Sequence, residues 1–110
     1  MNKYRDKSDF EINKAVAVNI NGSDAVVEKF GRIYISDSDA MVSFDPCNNP
    51  YDAMPIIIEN CIGLLPYRNS QPIAFDLRKG LGRGFSIKNK NIYRAAMELF
   101  LMMKEAENES

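Results

Sequence analysis

Phe44-Asp45-Pro46-Cys47-Asn48-Asn49-Pro50-Tyr51-Asp52-Ala53-Met54-Pro55-Ile56-Ile57-Ile58-Glu59-Asn60 is the stretch whose reading decides the fold. It sets the densest turn and capping chemistry of the chain directly ahead of the apolar run 55–58. Asp45-Pro46 closes a preceding strand, because proline cannot donate to a ladder and restrains the residue before it. Asn48 and Asn49 can fold their amides onto local backbone, and Pro50 suits a first helical position. Two helix starts are open. With Asn49 as cap, Pro55 falls in the second turn and must kink it; with Asp52 as cap, Pro55 lies in the first turn, where a missing N–H costs nothing. Either start turns Ala53, Met54, Ile57, Ile58 and Cys61 inward and ends the helix near Asn60.

Upstream, Ser8 followed by Glu11 is a capping box, and Ile12, Ala15 and Val16 give one apolar stripe to a helix over 9–19. Asn21-Gly22 stops it. Short β-branched and aromatic runs at 25–27, 33–35 and 41–44 read as an antiparallel meander, since their linking loops are too short for crossover helices. Asp37 and Asp39 lack the glycine and terminal glutamate of a calcium loop and read as a solvated turn. Downstream, 62–65 and 73–77 form a hairpin around the loop 66–72, and a strand over 85–87 follows a glycine-punctuated basic loop. A helix over 91–107 closes the chain. It is apolar far round its circumference, through Ile92, Ala95, Ala96, Leu99 and Met103 and also Tyr93, Met97, Phe100 and Leu101. Such a helix is central to the core or covered by a second copy of the chain, which makes a homodimer through the C-terminal helix an expectation.

These elements amount to one α+β domain over 1–110, with 1–7 and 108–110 frayed: three helices and five or six short strands. An antiparallel sheet flanked by helices, in the manner of an αβα sandwich, is the simplest arrangement. The chain of 110 residues is long enough for a core without staples, and 45% apolar with 26% charged residues is ordinary for a soluble globular protein. A net charge of −1 supplies no whole-molecule field toward nucleic acid or membrane. No apolar run is long enough to span a bilayer and the polar start lacks a signal-peptide core, so the expected place is the cytoplasm. Cys47 and Cys61, with no histidine in the chain, read as reduced structural thiols and not as a zinc site or a disulfide. The missing histidine also removes Ser-His and Cys-His catalysis. No cofactor motif and no metal site is legible.

Three blocks carry a family resemblance. Ser8-Asp9-Phe10-Glu11-Ile12-Asn13-Lys14-Ala15-Val16-Ala17, the block from Phe44 to Pro50 continuing through Ile56-Ile57-Ile58-Glu59-Asn60, and Asn91-Ile92-Tyr93-Arg94-Ala95-Ala96-Met97 with Phe100-Leu101-Met102-Met103 resemble the NinX-like proteins of lambdoid phages and prophages. The chain departs from that pattern at Met54 and Ile92, where the family tends to carry tryptophan and proline. The resemblance implies a phage accessory protein in the bacterial host's cytoplasm. A looser similarity to small phage αβα-sandwich domains implies helices flanking an antiparallel sheet. It implies no known activity.

Three functions compete. A protein-interaction module would use the polar corner Asp45, Asn48, Asn49, Asp52 and Asn60 together with the last helix, toward an unidentified host or phage protein; by analogy, small phage proteins without catalytic signals work by binding. A nucleic-acid or phosphate binder would use Arg78, Lys79, Arg83, Lys88, Lys90 and Arg94 around Gly80, Gly82 and Gly84, a segment free of acids from 77 to 97. Its glycine spacing is not a Walker pattern. A carboxylate enzyme would use Asp45, Asp52 or Glu59, with no motif to fix a nucleophile. The non-catalytic interaction module is the expectation.

Overall fold

In the computed structural model, which describes residues 2–67 and 69–109, the chain runs in the order α1 (Asp9–Asn21), a 3-10 turn (Ser23–Ala25), β1 (Val26–Lys29), β2 (Arg32–Asp37) and β3 (Ala40–Ser43). Then come α2 (Pro50–Glu59), β4 (Ile62–Leu65), β5 (Ile73–Asp76), β6 (Ser86–Lys88) and α3 (Ile92–Glu109). Arg68, in the loop expected between the fourth and fifth strands, lies outside the described residues, as do Met1 and Ser110. The class is α+β, with three α-helices and six strands among the described residues.

Local chemistry accounts for the helix ends. Ser8 Oγ accepts the Glu11 N–H at 3.1 Å while Glu11 Oε1 accepts the Ser8 N–H at 3.2 Å, so the capping box forms as written. Asn49 is the cap of α2: its Oδ1 accepts the Tyr51 N–H at 3.0 Å, with Pro50 behind it in the first helical position. Pro55 therefore lies inside the helix, where its missing N–H falls on the exposed side. Asp52 does not cap; its Oδ2 reaches back to accept the Asp45 N–H at 2.9 Å and pins the entering chain. The buried stripe of α2 is Ala53, Ile56 and Ile57, with Met54 packed beside it. Ile58, expected inside, is 70% exposed, because α3 lies along the 53–56–57 side of this short helix.

The strands form two antiparallel sheets of three, β1-β2-β3 and β4-β5-β6, where one sheet was expected. The stretch 44–61 carries the chain away between them. Helices pack against both sheets. α1 packs against β1 and β2 on one side and α3 on the other, α2 packs on α3, and α3 covers β4, β5 and β6. In the second sheet the Phe75 ring lies across Gly63, where a Cβ would run into Phe75 Cζ. That close approach is why a glycine stands mid-strand.

The middle of α3 is the centre of the core, with Ala95, Ala96, Met97, Leu99, Phe100, Leu101 and Met103 all buried. The helix is apolar all round because its own chain surrounds it. No helix among the described residues is long and apolar enough to cross a membrane.

The β1–β2 hairpin turns on Phe30 and Gly31, both at positive φ (55° and 70°), between the paired Lys29 and Arg32. This is the type I′ geometry that favours Asn-Gly, yet a phenylalanine occupies the first position, 86% exposed. Phe30→Asn relieves a left-handed conformation that costs a bulky residue about 1 kcal/mol and forfeits almost no buried area. The expected outcome is a higher urea midpoint at unchanged m-value; a lower midpoint would show that Phe30 packs in a way its exposure does not reveal.

Candidate functional site

Arg94 is where the polar chemistry of the chain converges. It leaves the first turn of α3 and its side chain is 9% exposed. Nε donates to Glu98 Oε2 at 2.6 Å, Nη1 to Asp9 Oδ1 at 2.7 Å, and Nη2 to the carbonyls of Lys7 at 2.6 Å and Tyr4 at 3.0 Å. The guanidinium thus joins the start of α3 to the start of α1 and to the segment before it. Burial alone would lower its pKa; the hydrogen bonds to Asp9 and Glu98 outweigh that and hold it above the ordinary value. Asn2 completes the cage, its Nδ2 donating to Glu98 Oε1 at 2.6 Å.

The segment expected to fray at 1–7 is therefore, over its described residues, part of this cage. Tyr4 packs against the core and donates its hydroxyl to Glu105 Oε2 at 2.7 Å, and Lys3 pairs with Glu105 Oε1 at 2.8 Å. At the other end α3 stays helical through Glu109, into the span expected to fray.

A second network abuts the first. Asn13, buried on α1, donates Nδ2 to Asp45 Oδ1 at 2.7 Å and accepts the Cys47 N–H at 3.1 Å. Asn48 Nδ2 bridges Asp9 Oδ2 (3.1 Å) and Asp45 Oδ1 (3.2 Å). Asn91 caps α3, its Oδ1 accepting from Tyr93 and Arg94, and its Nδ2 donates to the Cys47 carbonyl at 2.8 Å and to Asn48 Oδ1 at 3.2 Å. The resemblance blocks at 8–17, 44–50 and 91–97 meet here. No buried side-chain nitrogen or oxygen among the described residues lacks a partner. The Cys47 thiol is fully buried; that burial, reinforced by the negative charge of Asp9, pushes its pKa up and favours the neutral thiol.

Of the corner residues singled out from sequence, Asp45 and Asn48 belong to this network, Asn49 caps α2, and Asp52 ties Asp45. Asn60 does not join them. It closes the far end of α2, its Nδ2 donating to the Ile56 carbonyl at 2.8 Å, a helix length of about 15 Å away. The carboxylates Asp45, Asp52 and Glu59 do not converge either. Asp45 lines a cleft of about 370 Å³ with Asp9, Asn13, Asn48 and Arg32, whereas Asp52 and Glu59 line another.

The basic set divides in the same way. Arg94 is withdrawn into the cage and is no contact for an external anion. Lys88 and Lys90 line a groove of about 590 Å³ together with Arg5, which no local pattern could have joined to them. Arg78, Lys79 and Arg83 stand exposed on the loop between β5 and β6, with Arg78 Nε 3.7 Å from Asp76 Oδ1.

The sequence reading missed a surface on α2. Tyr51, Pro55 and Ile58 stand at i, i+4 and i+7 on the outward face, with Tyr51 88% exposed. Beside Tyr51 and Pro55 opens a groove of about 350 Å³ with Ile20, Ile35 and Phe44 in its wall and Asp52 and Glu59 at its rim. The signal was the Tyr-Pro-Ile spacing, hidden by reading Ile58 inward.

The cage predicts its own failure. Arg94→Met leaves Glu98 buried and Asp9 half-buried without their cation, and breaking a buried pair from one side costs about 3–5 kcal/mol. Arg94→Lys should recover little, because an ammonium cannot reach four acceptors in a planar fork. Equal stability of wild type and Arg94→Met in urea would contradict the assignment. Alkaline titration tests the adjoining anchor. Burial first, then the hydrogen bond and charge of Glu105, push the Tyr4 phenol from 10.0 up to about 12. A pKa raised in the fold gives stability that is complete below pH 10 and is lost as pH rises through about 12. Tyr4→Phe should remove that part of the alkaline decline; parallel curves for the two proteins would show that Tyr4 is not so held.

Among known proteins, the sequence model of the family described as Bacteriophage P22, NinX matches residues 3–104. No curated protein and no solved structure matches the chain.

Proposed function

We propose that this chain, which belongs to the bacteriophage P22 NinX family, acts as a non-catalytic protein-interaction module through the outward face of α2. Membership of that family suggests a phage accessory protein. The observation that carries the reading is the Tyr51-Pro55-Ile58 stripe: three apolar residues in helical register, exposed beside an apolar groove with an acidic rim. Large aromatic and aliphatic side chains held on a rigid helix are the usual anchors of an interface. The partner is a host or phage protein whose contact segment is apolar and carries basic groups for Asp52 and Glu59, with opposed charge at the rim setting register.

The polar corner supports this division of labour. Its carboxylates and amides are engaged with one another and with backbone, so it holds the loop 45–49 rigid behind α2 and presents the helix at a fixed angle. Nucleic-acid binding by the segment 78–94 is the weaker reading, since that segment loses Arg94 and its remaining cations face two different surfaces.

The test is a double variant, Tyr51→Glu with Ile58→Glu, which leaves the core untouched. Tagged wild type and variant would be expressed in a bacterial host carrying the related phage and recovered after nuclease treatment. A protein retained near stoichiometrically by wild type and reduced at least tenfold by the variant, with unchanged circular dichroism and melting, is the expected result. Equal recovery by both proteins would move the interface off α2.

A further inference from the structure

The first sheet has α1 on one face only. Alternation along the strands, with the observed register, assigns every side chain to a face. Ile33 is 3% exposed beneath α1, and Glu28 pairs with Lys14 of that helix at 2.9 Å, so the face holding Glu28, Ile33 and Asp37 is the inner one. The opposite face carries Lys29, Arg32, Tyr34, Ser36 and Ser43, with Val27 and Met41 between them. Its only charges are Lys29 and Arg32; neither is ion-paired with any described residue, and Arg32 also lines the cleft that holds Asp9 and Asp45. No acid of any of the three strands falls on it; Asp39 sits in the β2–β3 turn at the end of the sheet away from Phe30. The Tyr34 ring is half-buried and its hydroxyl has no hydrogen-bond partner among the described residues.

At the tip of the same hairpin stands Phe30, held in a left-handed conformation and 86% exposed, with the Lys29 ammonium 5.5 Å from its ring centroid. Asparagine or glycine would fit that turn without strain, and the ring fills no space in the core. A strained residue with no packing role is a reason to look for a binding role. One aromatic ring at the hairpin tip and another on the sheet face, with the Lys29 ammonium beside the first and hydroxyls between strands, make a surface on which unpaired bases stack while phosphates meet Lys29 and Arg32.

We propose that this uncovered sheet face and its Phe30 tip bind single-stranded nucleic acid. The charge favours this occupant over a protein segment, because the strand residues of this face include cations and no acid, and Lys29 stands at the tip clear of the cleft that holds Asp9 and Asp45. Stacking favours single strands over duplex, whose bases are already covered. The site is separate from the α2 stripe, which adjoins the groove on the inner side of the same sheet.

Fluorescence anisotropy of the purified protein with a labelled oligothymidylate and a labelled oligouridylate tests it. Binding should appear at low salt and weaken with a log–log slope of about −1.4, the value for two phosphates on a single strand. Phe30→Asn, which should leave the protein at least as stable, is expected to weaken binding about tenfold, and Phe30→Tyr to retain it. Arg32→Gln should lower the slope by about 0.7. The Tyr51→Glu, Ile58→Glu variant should bind as wild type does, so failure here and failure of the α2 interface are distinguishable. No binding at low salt, unchanged binding by Phe30→Asn, or preference for duplex would each overturn the proposal. So would loss of binding in Lys79→Gln, Arg83→Gln alone, which would place the contact on the basic loop.

Discussion

A guanidinium cannot shed its charge, and one buried on all sides must find acceptors for its donors or unfold the protein around it. Arg94 meets that demand from three parts of the chain: Glu98 one turn along its own helix, Asp9 eighty-five positions away, and the carbonyls of Tyr4 and Lys7. Those acceptors exist in place only when the first segment has wrapped back, α1 has started at Asp9 and α3 has formed its first turns. The cage is thus a condition on the whole assembly. Asn91 and Asn48 extend it to the loop 45–49, and Asn13 closes the circuit on α1. Apolar burial around α3 supplies most of the driving force, but it is non-directional. The cage fixes which end of each helix meets which.

The corner is engaged with itself. Asp9, Asp45, Asn48 and Asn91 all hold partners, and the Cys47 thiol is buried and kept protonated. What the fold leaves unengaged lies elsewhere: the outward stripe of α2 and the far face of the first sheet with its strained tip. Both stand on elements that the cage and the core hold rigid. The residues that most resemble the family pattern build the frame, and the proposed binding surfaces are ones that frame presents.

Much of the architecture was legible because it rests on local chemistry. The Ser8/Glu11 box, the 62–65 strand and the apolar circumference of α3 each follow from a few neighbouring residues, whereas the cap of α2 stayed open between Asn49 and Asp52 until the fold showed Asp52 tied to Asp45. The remainder depends on which distant segments meet. Asn48, Asn49, Asn60 and Asn91 look alike in sequence, yet one bridges two aspartates, one caps α2, one closes it and one caps α3. Arg94 sat in a basic run and read as a surface cation, because nothing near it announces Asp9. Ile58 read as core because the side of α2 that α3 would take was unknown. The split into two sheets was hidden for the same reason, since hairpins specify their own pairing but not their neighbours. Phe30 could have been noticed: a phenylalanine before glycine between two strands violates the turn's own preference.

The central claim is that the Arg94 guanidinium is immobilised in a cage formed only by the assembled fold. Proton exchange at its Nε–H, followed by NMR in isotopically labelled protein, tests this directly. The account predicts an Arg94 Nε–H that exchanges only as fast as the slowest backbone amides of α3, while those of Arg78 and Arg83 exchange at the rate of exposed side chains. An Arg94 Nε–H exchanging as fast as theirs would mean that the cage opens without the fold, and that something other than this guanidinium sets how the helices meet.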